Sequence, residues 1–258
     1  MMTMSIDYKG TSAPPRADPP GAGGGRRTKK AEALARLMLE RGLEGGPGLP
    51  TEAVLRSESH VGRNTVREAQ RILEVHGALD INTGFGGGAS VRIPGSRDFG
   101  RVASFFYRSA RVRLGDLLDA RLLMEPLAAR LAAEQRTEDG DRRLRGLVET
   151  LERGDTSDNH GFLRAGREFH EVICGISANP VVNLFSTALV QMVVDRMAVV
   201  YPEQQRGDVT RTHVAIGRAI LEGEAARAEE LMRRHWLEYD SGIWGAMYAG
   251  ADEVLSWR

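Results

Sequence analysis

Residues 61–93 read VGRNTVREAQRILEVHGALDINTGFGGGASVRI, and a change of period inside this stretch decides the fold. From Arg63 to Val75 the apolar residues Val66, Ala69, Ile72 and Leu73 are spaced three and four apart, which gathers them on one face of a helix. Gly77 ends that helix. Leu79-Asp80-Ile81-Asn82 and Ala89-Ser90-Val91-Arg92-Ile93 then alternate as strands do, around the glycine-rich tip Thr83-Gly84-Phe85-Gly86-Gly87-Gly88. A β-hairpin placed directly behind a helix-turn-helix is a wing.

Working outward, the N-terminal side supplies the rest of that motif. Lys29 to Leu43 has a helical period, with Ala31, Leu34, Ala35, Leu37 and Met38 on one broad face. Gly42 and the run Gly45-Gly46-Pro47-Gly48 stop it. Thr51 is a good N-cap for a second helix carrying Val54 and Leu55, and His60-Val61-Gly62 makes the turn into the third. Residues 1–27 read as a disordered tail, because Pro14, Pro15, Pro19, Pro20 and the glycines at 21 and 23–25 build neither helix nor packed strand. Arg26, Arg27, Lys29 and Lys30 form a basic cluster, either the solvated start of the first helix or an arm that touches phosphates.

On the C-terminal side Pro94-Gly95-Ser96 is the linker, and every later segment has a helical period. Helices are expected near 98–110, 114–135, 138–153, 157–177, 180–200, 205–222 and 224–248. No strand pattern returns, so the fold class is mainly α. A winged helix-turn-helix over 28–94 precedes an all-helical bundle over 95–248 and a short tail over 249–258.

Composition bounds the function. At 258 residues, 41% hydrophobic and 27% charged, the chain suits two ordinary globular domains. Cys174 is the single cysteine, which excludes an intrachain disulfide and a cysteine-based zinc finger and fits a reducing cytoplasm. No apolar run is long enough for a membrane helix, and the N-terminus lacks the apolar core of a signal peptide. Net charge is zero, but residues 1–93 carry 13 Lys+Arg against 10 Asp+Glu, so the balance is +3 there and −3 in the remainder. The positive half is the one with the helix-turn-helix.

The third helix opens Arg63-Asn64-Thr65-Val66-Arg67. At about 100° per residue, Arg63 and Arg67 share the face opposite the apolar stripe, with Asn64 and Thr65 in the same first turn. A recognition helix needs that arrangement, since its N-terminal residues reach base edges while arginines grip guanine or phosphate. The plainer reading is a solvated face on which an arginine pairs with Glu68 or Glu74. The preceding turn and the following wing favour DNA.

These residues also carry a family resemblance. Gly48-Leu49-Pro50-Thr51-Glu52, then Val61 to Ala69, then Leu73-Glu74-Val75-His76-Gly77-Ala78-Leu79, resemble the winged-helix domain of GntR-family regulators. The resemblance implies double-stranded DNA as a partner, with Arg63, Asn64 and Arg67 at the DNA and Gly84 of the wing in the minor groove; Thr65 joins them by its place in the same first turn. Ala53 stands where some relatives have an arginine, and Gly62 where Ser or Thr is usual.

Asp116-Leu117-Leu118-Asp119-Ala120-Arg121-Leu122-Leu123-Met124-Glu125 resembles the opening of the FCD effector domain of the FadR-like subgroup. Glu168-Phe169-His170, Ser177-Ala178-Asn179-Pro180, His213-Val214-Ala215-Ile216 and Met232-Arg233-Arg234-His235 continue it in order. By resemblance, His170, His213 and His235 converge on a divalent metal, zinc first because nitrogen ligands suit it. Taken alone, each is a core histidine on an apolar helix. The aspartate that such domains place four residues before the first histidine is Gly166 here, so one protein ligand is missing. Glu168 lies two residues from His170, about 200° round the helix, and cannot replace it. Arg121 is either the ion-pair partner of Asp195 or Glu125, or simply exposed, or the anchor for an effector carboxylate. Cys174 and Trp236 read as packing residues.

The reading is a homodimeric, cytoplasmic, ligand-responsive repressor without membrane contact. It binds a pseudo-palindromic operator and senses a small organic acid, alone or with a metal. Its rivals are a metal-dependent hydrolase or lyase at the three histidines, and a sensor that has lost DNA recognition. Against the hydrolase, the sequence has no His-Glu-x-x-His, nucleophile elbow or phosphate loop.

Overall fold

The structure is a computed structural model that describes residues 26–44, 49–81, 89–153, 159–197 and 206–238. The two predicted tails therefore lie almost wholly outside the described residues, as do the wing tip with Gly84 and the expected extension of the last helix to 248. The chain divides into two compact units after Pro94.

The first unit holds α1 (Arg26–Leu43), α2 (Glu52–Ser59), α3 (Arg63–Val75), β1 (Leu79–Ile81) and β2 (Ala89–Val91). Helix α1 starts three residues before the expected Lys29, since nothing in Arg26-Arg27-Thr28 breaks a helix. Ala31, Leu34, Ala35 and Met38 of its stripe are buried, whereas Leu37 at the stripe's edge is exposed. On α2 only Leu55 is buried and Val54 faces out. Thr51 Oγ1 caps α2, lying 3.5 Å from the Val54 N–H. His60, in the left-handed region at φ 49°, closes that helix.

Leu34, Met38, Leu55, Val66, Ala69 and Leu73 form one core with Ala78 and Leu79. Behind α3, Gly77 turns the chain at φ 71°, a conformation that suits glycine. The strands pair antiparallel with Leu79 opposite Val91 and Ile81 opposite Ala89. The Arg92 side chain ties back to Asp80 at 3.2 Å. The hairpin also lies against α1. A Cβ built on Gly42 would stand 2.3 Å from Val91 Cβ, so the helix and the wing strand approach closely only because residue 42 has no side chain.

The second unit holds α4 (Ser96–Ser109), α5 (Leu114–Glu134), α6 (Glu138–Arg153), α7 (Asn159–Gly175), α8 (Pro180–Met197), α9 (Arg206–Leu221) and α10 (Ala225–Glu238). Among the described residues it has no strand. Side-chain caps set several starts. Asp98 accepts the Gly95 N–H at 3.0 Å, which moves the start of α4 ahead of the expected residue 98. Asp116 accepts the Arg113 N–H at 2.8 Å at the head of α5. Asn179 Oδ1 accepts the Val181 and Val182 N–H groups at 3.0 and 3.2 Å, with Pro180 as the first residue of α8.

Helix α5 is the hub of the bundle. It packs most extensively on α10 and also touches α7, α8 and α9. Leu118, Leu144, Phe169, Ile173, Ile216, Ile220 and Met232 are fully buried around it. Helices α6 and α9 meet over Gly217, where an added Cβ would lie 2.5 Å from Val148 Cγ2. Gly217→Ala is therefore expected to force these helices apart and destabilise the protein by about 1–3 kcal/mol, the usual cost of overpacking. A lower urea midpoint with an unchanged slope would show it; an unchanged midpoint would mean that the contact relaxes freely.

Candidate functional site

Two groups of residues stand out, one in each unit. In the first, Val66, Ala69 and Leu73 are buried on α3 while Arg63, Asn64 and Arg67 are exposed and Thr65 is half-buried. Arg71, one further turn along, is also exposed and extends the line Arg63–Arg67. The i, i+4, i+8 spacing would have found it. The N-cap of α3 is Gly62, whose side makes no cap and whose surroundings are open. The first N–H groups of the helix thus have no side-chain partner there, and a helix start of that kind favours an anion. Arg63 pairs with Glu52 of α2 at 2.9 Å, not with Glu68 or Glu74. Its side chain is still 66% exposed, so the pairing aims the guanidinium without hiding it.

In the second unit the three histidines come together. His170 lies on α7, His213 on α9 and His235 on α10, all buried, with one ring nitrogen of each within 4.8 Å of the others. The Nε2 atoms of His213 and His235 are 3.3 Å apart. Two nitrogens bound at about 2.0–2.1 Å to one tetrahedral ion stand about that far from each other. His213 is held by its ring stacking on buried Phe169, with centroids 4.2 Å apart. The donor set, three imidazoles in an apolar bundle core, fits a zinc-like divalent ion.

Burial lowers the pKa of both His213 and His235 well below the usual histidine value, and the nearby Arg121 guanidinium adds to this. Neutral imidazoles present lone pairs, which is the form a metal takes.

Gly166 is one turn before His170 on α7, and a Cβ there would meet only His213 Cε1, at 3.7 Å. There is room for a side chain beside the triad at this position, and the sequence leaves it empty. Glu168 instead lines a polar cavity of about 480 Å³ with Arg143, Arg164 and Arg167.

A second layer surrounds the triad that sequence reading valued too little. Glu125 of α5 is fully buried. Its Oε1 accepts from Arg121 Nε at 2.5 Å, and its Oε2 from His170 Nδ1 at 2.5 Å and Trp236 Nε1 at 3.3 Å. Burial alone would raise the Glu125 pKa, but Arg121 and His170 outweigh it and hold the carboxyl at about 2. The Arg121 guanidinium lies 4.4 Å from the centre of the Trp236 ring. Arg121 thus takes the ion-pair option with Glu125; the Asp195 side chain lies outside the described residues. Trp236, read as packing, is a hydrogen-bond donor as well. The signal for Glu125 was its i, i+4 spacing from Arg121.

Both groups lie in segments that match known families. Residues 28–87 match the family "Bacterial regulatory proteins, gntR family", and residues 116–238 match the FCD domain. The chain is 30% identical over 220 residues to the HTH-type transcriptional repressor NanR of Klebsiella aerogenes, covering 81% of this chain and 82% of that protein. It is 28% identical over 206 residues to the uncharacterized HTH-type transcriptional regulator YcbG of Bacillus subtilis, covering 79% and 84%. Among solved structures it resembles Streptococcus agalactiae GntR, with a TM-score of 0.63 and 26% identity over 82% of this chain and 98% of that one.

The titrations set a pH dependence. Between the unfolded histidine value of about 6.5 and the lower folded values, the unfolded chain binds more protons at His213 and His235. Their contribution to stability is full above about pH 6.5 and falls as pH drops below it. Glu125 adds a second loss as pH falls below the usual carboxylate range toward its folded value of about 2. In chelator, the urea midpoint should be level from pH 8 to 7 and drop between pH 6.5 and 5, less steeply in His213→Gln/His235→Gln. A flat midpoint down to pH 5 would contradict the burial argument.

Proposed function

The chain belongs to the GntR family of bacterial regulatory proteins, with an FCD domain behind the winged helix-turn-helix, and from that premise we propose how its residues divide the work of a ligand-responsive transcription regulator. It is a DNA-binding regulator and not an enzyme, which sets aside the hydrolase reading of the three histidines.

The exposed line Arg63–Arg67 behind the open start of α3 carries the DNA assignment. In this reading α3 enters the major groove. Arg63, Asn64, Thr65 and Arg67 meet base edges and phosphates there, and Gly84 of the wing reaches the minor groove. Two copies pair, so that their recognition helices occupy successive major grooves of a pseudo-palindromic operator as a repressor.

The second unit is the sensor. His170, His213 and His235 would hold a divalent ion, which supplies a Lewis-acidic contact for an oxygen ligand. With glycine at 166, an oxygen of a small organic acid or a water completes the coordination. Arg121 stands one residue away from the triad, behind Glu125. An acid that reaches Arg121 competes with Glu125 for the guanidinium. Effector binding then biases the pair of DNA-binding units between two spacings and so changes operator affinity.

DNA from the gene's own upstream region, followed by fluorescence anisotropy, tests the first half. Arg63→Ala or Arg67→Ala should each weaken binding by about 1–3 kcal/mol, with strong salt dependence in the parent protein. No salt-sensitive binding, or no loss in either variant, overturns it. Calorimetry with zinc tests the second half. Gly166→Asp should tighten binding by completing an i, i+4 ligand pair, while Gly166→Ala should not. If neither the parent nor Gly166→Asp binds zinc, the histidines are core residues.

A further inference from the structure

Three histidines that converge do not yet make a ligand set. Each must present a lone pair to the centre, and so must carry its proton, if any, on the other ring nitrogen. Which nitrogen is protonated is set by the hydrogen bond that the ring makes outward. His213 is oriented by stacking on Phe169. His170 is oriented differently: its Nδ1 is 2.5 Å from Glu125 Oε2, inside the bundle.

We propose that Glu125 is the positioning residue of the histidine centre: its carboxylate holds the His170 proton on Nδ1 and turns Nε2 toward His213 and His235, while Arg121 and Trp236 hold the carboxylate in place. The geometry supports each part. An ionised carboxylate only accepts, so the proton in the Glu125–His170 contact belongs to Nδ1. Oε1 is occupied by Arg121 Nε and Oε2 also receives the Trp236 N–H, so the carboxylate is fixed from two sides and from two helices, α5 and α10. Trp236 follows His235 in the chain and stacks under Arg121, so the same helix turn that supplies one ligand helps to hold the group that orients another. Carboxylates in this outer position orient the ring and raise the basicity of its free nitrogen. The zinc part of the proposal rests on the metal reading above; the tautomer part does not.

The test replaces the whole buried pair, since removing one member leaves a buried charge. Arg121→Met/Glu125→Leu keeps the volume and removes the outward acceptor. In the metal-free full-length protein, nitrogen-15 NMR of the histidine rings, with His170 assigned by its loss in His170→Gln, should show Nδ1–H in the parent. The double variant should lose that preference. Its zinc affinity by competition with a chromophoric chelator should fall about 10–100-fold. Arg121→Met/Glu125→Gln, which keeps an acceptor oxygen beside His170 and leaves no unpaired charge, should restore most of both. An unchanged His170 tautomer in the double variant overturns the proposal, and so does parent-like zinc affinity where the parent binds zinc. If the parent binds no zinc, the metal reading fails and the tautomer alone decides the role of Glu125. If the double variant does not fold, Glu125→Asp withdraws the carboxylate by one methylene and must shift both readouts in the same direction, or the proposal falls.

Discussion

A carboxylate with no solvent exposure, in the middle of the helix on which α7, α8, α9 and α10 pack, constrains the bundle around it. Glu125 stays ionised only while donors surround it, because an isolated charge in an apolar interior is prohibitively costly. Those donors come from three helices: Arg121 one turn back on α5, His170 on α7 and Trp236 on α10. Removing one partner of such a group typically costs about 3–5 kcal/mol, which is a large part of a domain's stability. The register of α7 and α10 against α5 is thereby fixed at one level of the bundle, and that level is where His170, His213 and His235 meet.

The same constraint explains why the centre suits a sensor. Burial favours the neutral form of His213 and His235, and His170 is oriented by a contact with a carboxylate that also engages an arginine. In the reading proposed above, an acid ligand would meet two features of one cluster: the space beside Gly166, and the guanidinium of Arg121, which it would have to share with Glu125.

In the first unit the controlling interactions are smaller and local. Close packing over Gly42 seats the wing strand on α1, and the pairing of Arg63 with Glu52 ties the start of the recognition helix to α2. Exposed ion pairs add little stability. The Glu52 contact instead limits the directions that a long, flexible side chain explores, so that in the DNA-binding role proposed for Arg63 less freedom would be lost on contact.

What the sequence determined by itself was whatever depends on local period and backbone chemistry. The apolar stripe of α3, the strand alternation behind it, the stop at Gly77 and the run of helical segments after Pro94 all follow from neighbours within a few residues. So did the individual identities of His170, His213 and His235, and the gap at Gly166, through resemblance. The start of α4 moved two residues ahead of expectation, where the Asp98 cap intervened. Only the tertiary structure decided what joins residues far apart in the chain. It brought together three histidines separated by up to 65 positions, gave Arg121 to Glu125, and turned Trp236 from a packing residue into a donor. The physical reason is that a period names the face on which a side chain sits, whereas its partner is set by how the helices are packed around a common core.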